Sequence, residues 1–204
     1  GLGDVYKRQP LEMLRATGVE FRTNPLGRRL SNDELCELIG NTSVLIAGTE
    51  PINEKVFSNA PHLRLIVRVG IGLDSVDLSA ARCRGIQVAY TPDAPGLAVA
   101  ELTVGLMLDL LRGISNADRS LRTGKWKRHT GARLATSCIG VIGVGRIGSK
   151  LIRHLVHGFP GVRILANDIR AITGMEDLPA VRWVEKEELL RESDIVSLHL
   201  PFSP

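Results

Sequence analysis

Between the apolar run Cys138-Ile-Gly-Val-Ile142 and a stretch of helical spacing, Ser149-Lys-Leu-Ile-Arg-His-Leu-Val156, the chain reads Gly143-Val-Gly-Arg-Ile-Gly148. A G-x-G-x-x-G string alone constrains little. Set at a strand-to-helix turn, it demands a β-α-β unit. The next strand-like run, Val162-Arg-Ile-Leu-Ala-Asn167, ends at Asp168, twenty residues after Gly148. That spacing is the signature of a dinucleotide-binding fold.

Each residue of the string has a physical task. Gly143 permits the tight turn, Gly145 lets backbone amides approach a diphosphate, and Gly148 lets the helix pack closely on the sheet. The amides and positive dipole end of the helix then face the phosphates. A carboxylate at Asp168 accepts from the two adenosine-ribose hydroxyls and repels a 2′-phosphate, which favours NAD over NADP. Arg170 pulls the other way, because a nearby guanidinium accommodates that phosphate.

Elsewhere, short apolar runs alternate with amphipathic stretches, the pattern of an α/β chain. Strands are expected at Val19-Glu-Phe-Arg22, Val44-Leu-Ile-Ala47, Arg64-Leu-Ile-Val-Arg68 and Ile86-Gln-Val-Ala-Tyr90. Ser31-Asn-Asp-Glu34 predicts a capping box, and a further helix covers 53–59. Asp77 caps Leu78 to Arg84, which Gly85 closes. The run 97–112 is apolar on nearly every side and predicts a helix buried between layers. The turn-rich Thr91-Pro-Asp-Ala-Pro-Gly96 marks a domain boundary. After it come a helix at 115–121, the nucleotide unit, a helix at 185–191 and a last strand from Ile195, so the second half is expected to hold three strands.

The chain carries 44% hydrophobic residues and a formal charge of +4. No apolar run reaches the ~20 residues of a membrane span, and no signal peptide is visible, so no membrane partner is expected. The basic cluster Lys125-Trp-Lys-Arg-His129 has one aromatic residue among four basic ones, a solvated loop rather than a nucleic-acid footprint. Cys36, Cys83 and Cys138 are scattered, without metal-site or disulfide spacing, which suits a reducing, cytoplasmic setting and no bound metal.

Four further blocks stand in order around the fingerprint: Arg68-Val-Gly-Ile-Gly-Leu-Asp-Ser-Val-Asp77, Ala98-Val-Ala-Glu-Leu-Thr103, Gly124-Lys-Trp126 and His199-Leu-Pro201. With them the chain resembles the D-isomer-specific 2-hydroxyacid dehydrogenases, most closely the phosphoglycerate dehydrogenase branch. The resemblance implies two Rossmann-like or flavodoxin-like parallel-sheet domains, both incomplete here. Residues 10–97 are then a substrate domain lacking its first strand, and residues 98–204 an NAD-binding domain lacking its C-terminal half. Residues 1–9, with Asp4-Val-Tyr-Lys-Arg-Gln9, resemble the translation of a sequencing-library transposon end. On this reading the chain is a fragment cut at both ends, poorly soluble and inactive by itself.

The resemblance also implies roles. Backbone amides of Val69 and Gly70 bind the substrate carboxylate, unless that loop is an ordinary turn. Ile71 and Thr103 line the nicotinamide end, although Thr103 could equally bond its own helix. Gly143, Gly145, Arg146, Ile147 and Gly148 surround the diphosphate, Asp168 holds the ribose, and Leu200 with Pro201 lies near the adenosine. The family's catalytic Arg, Glu and His are expected beyond Pro204, so no catalytic residue is assigned; His199, His129, His154 and His157 are bland. The implied parent is a homodimer, associating around 97–112, that transfers a hydride between NAD and a D-2-hydroxy or 2-oxo acid. 3-Phosphoglycerate, and hence serine biosynthesis, leads, with Arg28, Arg29 and Arg68 as candidate phosphate partners. An NAD-binding corepressor or pseudo-enzyme of the same fold is the alternative. Two departures from the family pattern are Ala135-Thr-Ser137, where a Gly-Lys turn is usual, and the long connection Gly158-Phe-Pro-Gly161.

Overall fold

The structure is a computed structural model and describes residues 2–170, 175 and 178–201, with side chains from residue 9 onward. Most of the adapter-like residues 1–9 therefore lie outside the described side chains. Two compact units form. One takes in the chain up to Val67 with Asp74–Val88; the other takes in Arg68–Leu73 with the chain from Ala89 onward.

The first unit opens with helix α1 (Leu2–Ala16), then α2 (Asn32–Ile39), β1 (Val44–Ala47), α3 (Glu54–Ser58), β2 (Leu65–Arg68), α4 (Leu78–Cys83) and β3 (Gln87–Tyr90). The sheet order is β1-β2-β3. Ile66 at its centre is fully buried, packed among Val56, Phe57, Leu35, Ile39 and Ala81 from the helices. Asp77 caps α4 through Ala80 N–H at 2.9 Å, and Gly85, at φ +69°, ends it. The expected strand at 19–22 does not form. Among the described residues its backbone bonds no neighbouring strand, Val19 is 61% exposed, and the Arg22 guanidinium donates to the Leu38 carbonyl at 2.7 Å. Apolar alternation without a partner ladder is not a strand.

The capping box on α2 is complete. Ser31 Oγ accepts from Glu34 N–H at 3.3 Å, and the Glu34 carboxylate accepts from Ser31 N–H at 2.8 Å. Ser31→Ala is expected to lower stability by about 1 kcal/mol, read from a denaturant midpoint. Arg28, and next the Ser31 amide, hold the Glu34 carboxyl at about 2 against its ordinary 4.5. Its folded pKa lies below the unfolded one, so its contribution is complete above 4.5 and is lost as pH falls toward 2. In acid titrations across that window, Glu34→Gln is expected to lose less stability than the parent chain.

The second unit holds α5 (Gly96–Arg112), α6 (Ile114–Arg122), a 3-10 turn (Leu134–Thr136), β4 (Cys138–Ile142), α7 (Gly148–Gly158), β5 (Arg163–Asn167), β6 (Val181–Trp183), α8 (Lys186–Glu192) and β7 (Ile195–Leu198). Its sheet has the order β6-β5-β4-β7, all parallel. Four strands stand where three were expected, β6 being the unforeseen one. The two faces of the central strands divide the core. Ile139, Val141, Ile164 and Ala166 pack with Leu151, Leu155, Ala100 and Met107 on one side; Cys138, Ile142 and Leu165 pack with Leu189 on the other. Burial of both faces is what a parallel sheet requires.

α5 corrects an expectation. Ala100 and Met107 are buried, but Leu97, Leu102, Leu106 and Leu110 are more than half exposed. Within this unit only one of its faces meets α7, so an all-apolar helix leaves a leucine stripe open. The two departures from the family pattern lie side by side: a Cβ on Gly161 would stand 3.0 Å from the Ala135 carbonyl, and Arg163 N–H donates to the Ser137 carbonyl at 3.1 Å. Among the described residues no helix is long and apolar enough to cross a membrane.

Candidate functional site

β4 is buried along its whole length and delivers the chain into Gly143, whose φ of +89° suits glycine. A Cβ there would lie 2.5 Å from the His199 carbonyl oxygen and 2.8 Å from Leu200 Cδ2, so the loop and the end of β7 sit tightly together. Gly148 opens α7, and a Cβ on it would run into the Gly143 carbonyl. Gly145 differs: nothing lies within 4 Å of where its Cβ would be. The loop is thus closed toward the protein at two glycines and open toward solvent at the third. No side chain caps α7; Ser149 N–H in its first turn donates to the Gly145 carbonyl at 3.1 Å, so the positive end of the helix dipole abuts the loop.

Asp168 stands at the end of β5 beside this loop. Its Oδ2 accepts from Val144 N–H at 2.7 Å and its Oδ1 from Arg170 N–H at 2.9 Å. Both bonds are to main chain, so the carboxylate is fixed before any ligand arrives. Each oxygen keeps a further lone pair for a ribose hydroxyl.

Arg146, exposed on the fingerprint loop, donates through Nε to Asp93 Oδ1 at 2.8 Å. Lys150, one turn on, donates to the Arg146 carbonyl at 3.2 Å. Ile147 is half-buried at the start of α7. In the glycine loop after β2, Gly70 N–H donates to Thr91 Oγ1 at 2.8 Å, and Thr91 N–H returns to the Gly70 carbonyl at 3.2 Å. The amide assigned to a substrate carboxylate is therefore bonded to a hydroxyl in this state. Val69 and Ile71 are exposed, and the Arg68 guanidinium donates to the Val69 carbonyl while its Nε is buried without a partner. The Thr103 hydroxyl donates to the Val99 carbonyl at 2.7 Å within α5.

The structure brings Gly143, Gly148, Asp168 and Leu200 into one cluster, with Pro201 exposed beside Leu200. Among the described residues no hydrogen bond ties Ile71 or Thr103 to that cluster. His199 lies against it with Nε2 2.9 Å from Ser197 Oγ, and burial pushes its pKa below the ordinary value. Sequence reasoning missed Thr91, Asp93 and the Val144 amide. Each acts through a partner distant in the chain, and no local pattern marks such a pairing.

A profile described as D-isomer specific 2-hydroxyacid dehydrogenase, catalytic domain, matches residues 3–198. The chain belongs to the D-isomer specific 2-hydroxyacid dehydrogenase family. Among relatives in that family, a D-3-phosphoglycerate dehydrogenase of Methanocaldococcus jannaschii is 37% identical over 180 residues, covering 86% of this chain and 34% of its own. A hydroxypyruvate reductase of Thermotoga maritima is 37% identical over 177 residues, covering 85% of this chain and 56% of its own. The crystal structure of the TT0316 protein from Thermus thermophilus superposes with a TM-score of 0.85 at 33% identity, over 96% of this chain and 62% of that one. The chain thus spans about a third to three-fifths of the lengths of these 2-hydroxyacid dehydrogenase relatives. Family membership agrees with the α/β architecture and with the strand order at the fingerprint, which is that of a dinucleotide-binding sheet.

Proposed function

We propose that this chain is the NAD-binding and substrate-cradling part of a D-2-hydroxyacid dehydrogenase. The observation that carries the reading is the Asp168 carboxylate, locked to the Val144 amide of a fingerprint loop that is open only at Gly145. Those residues fit a dinucleotide. Gly145 and the uncapped start of α7 receive the diphosphate, and Asp168 receives the ribose. NAD supplies the hydride acceptor when bound.

The chain's own contribution is position and charge. The fingerprint amides hold the diphosphate without a side chain intervening. The fixed carboxylate selects a 2′-hydroxyl and repels a 2′-phosphate. The glycine loop 68–73 offers main-chain groups to a substrate carboxylate, for which the Gly70 amide exchanges its Thr91 partner. Three cysteines without a disulfide suit a cytoplasmic protein.

Relatives' names divide among phosphoglycerate, hydroxypyruvate and glyoxylate enzymes. We place 3-phosphoglycerate first, because Arg68 stands at the glycine loop with an unpartnered Nε. The exposed leucines of α5 form an apolar stripe of the kind that subunit interfaces cover, and support a homodimer. Titration of NADH into the purified chain, followed by nucleotide fluorescence, tests the reading. Saturable binding at about micromolar to millimolar concentration is expected. Absence of binding up to the top of that range overturns it.

A further inference from the structure

We propose that Lys150 is the cation that neutralises the dinucleotide's diphosphate in this site, with Arg146 largely committed elsewhere; the assignment rests on the NAD reading above. Three observations carry it. First, charge. Arg146 is paired with Asp93 at 2.8 Å, so that pair adds no net charge to the loop. Lys150 has no carboxylate within ion-pair distance among the described residues, and its one hydrogen bond is to the neutral Arg146 carbonyl at 3.2 Å. Of the two cations on the fingerprint loop and the first turn of α7, Arg146 is ion-paired and Lys150 is not.

Second, placement. Lys150 lies in the first turn of α7, which carries no acidic residue and no side-chain cap. A cation there opposes the helix dipole and weakens the helix. Local rules broken in this way concentrate where a site needs them broken. A bound anion reverses the sign, since the ammonium and the positive end of the helix dipole then attract the same phosphates.

Third, packing. Lys150 is half-buried, and its stem crosses the first residue of α5, Gly96. A Cβ on Gly96 would come within 3.2 Å of Lys150 Nζ and 3.3 Å of Cδ and Cε. The missing side chain at residue 96 leaves room for the lysine stem, whose ammonium reaches the Arg146 carbonyl of the loop.

The experiment compares the chain with Lys150→Met and Lys150→Arg. NADH, ADP-ribose and adenosine are titrated by calorimetry at low and high salt. Lys150→Met is expected to weaken NADH and ADP-ribose by about ten-fold and to flatten their salt dependence, as loss of one charged contact does. Adenosine, which has no phosphate, is expected to bind equally to both, and Lys150→Arg is expected to restore most of the loss. Because the cation opposes the dipole, Lys150→Met is also expected to melt no lower than the parent chain. NADH binding and salt dependence unchanged in Lys150→Met would overturn this assignment and leave the NAD reading standing. Equal weakening of adenosine would overturn it in favour of a packing role. A parent chain that binds neither NADH nor ADP-ribose overturns both.

Discussion

Gly148→Ala is expected to destabilise the second unit by about 3 kcal/mol or more, a drop of about 6–12 °C in melting temperature for a chain of this size. In an ordinary helix the same change is favourable by about 0.5–1 kcal/mol, because alanine is the better helix former. The sign reverses here because the new methyl meets the Gly143 carbonyl, a main-chain atom that no rotamer change can move aside. Gly145→Ala is the control. Its Cβ has nothing within 4 Å, so thermal stability is expected to stay within about 0.5 kcal/mol of the parent, while NADH affinity falls. Thermal melts followed by circular dichroism, with NADH titrations alongside, separate the two. A Gly148→Ala protein melting at or above the parent would refute the packing account. A Gly145→Ala protein binding NADH normally would place the diphosphate elsewhere.

The second large effect belongs to Asp168→Asn. A carboxylate accepts at both oxygens, and here both are in use, toward Val144 and Arg170 amides. A carboxamide accepts at one atom only and turns an NH2 toward the other donor. Loss of a charge-assisted bond to a partly buried amide is expected to lower stability by about 1.5–3 kcal/mol. NADH affinity is expected to fall about ten-fold or more, with NADPH affinity falling less, since the repulsion of a 2′-phosphate is removed while Arg170 remains. The ratio of the two dissociation constants is the measurement. An unchanged ratio would mean that Asp168 anchors the loop without reading the ribose.

The fold was legible wherever local pattern and tertiary context agree. The runs that became β4, β5 and β7 are apolar and bounded by turns, and the capping box at Ser31 and the Asp77 cap were read from residue spacing alone. Failures came where a partner decides the outcome. Val19–Arg22 alternates like a strand but has no ladder to join. Val181-Arg-Trp183 is three residues long with a charged residue at its centre, and becomes a strand because β5 pairs with it. The run 97–112 reads as buried because composition reports how apolar a face is and not what covers it. In the site, the glycines and Asp168 were legible because their spacing is fixed by the turn they make. Asp93 was not, because its tie to Arg146 spans 53 residues and follows only from the folded arrangement.

The separations along the chain also set an order of assembly. Asp168 reaches the Val144 amide across 24 residues, whereas the carboxylate that holds the first residue of β4, Asp194 to Cys138 N–H at 2.7 Å, reaches across 56. Closing a longer loop costs more chain entropy before any contact returns it, and contacts of short separation form sooner. The Asp168–Val144 tie is therefore expected to form before β7 docks along the other edge of β4 and brings His199 and Leu200 against Gly143. A residue of the ligand seat would then also belong to the folding nucleus: Asp168→Asn is expected to slow folding, and loss of the Asp194 tie to speed unfolding, both read from folding and unfolding rates.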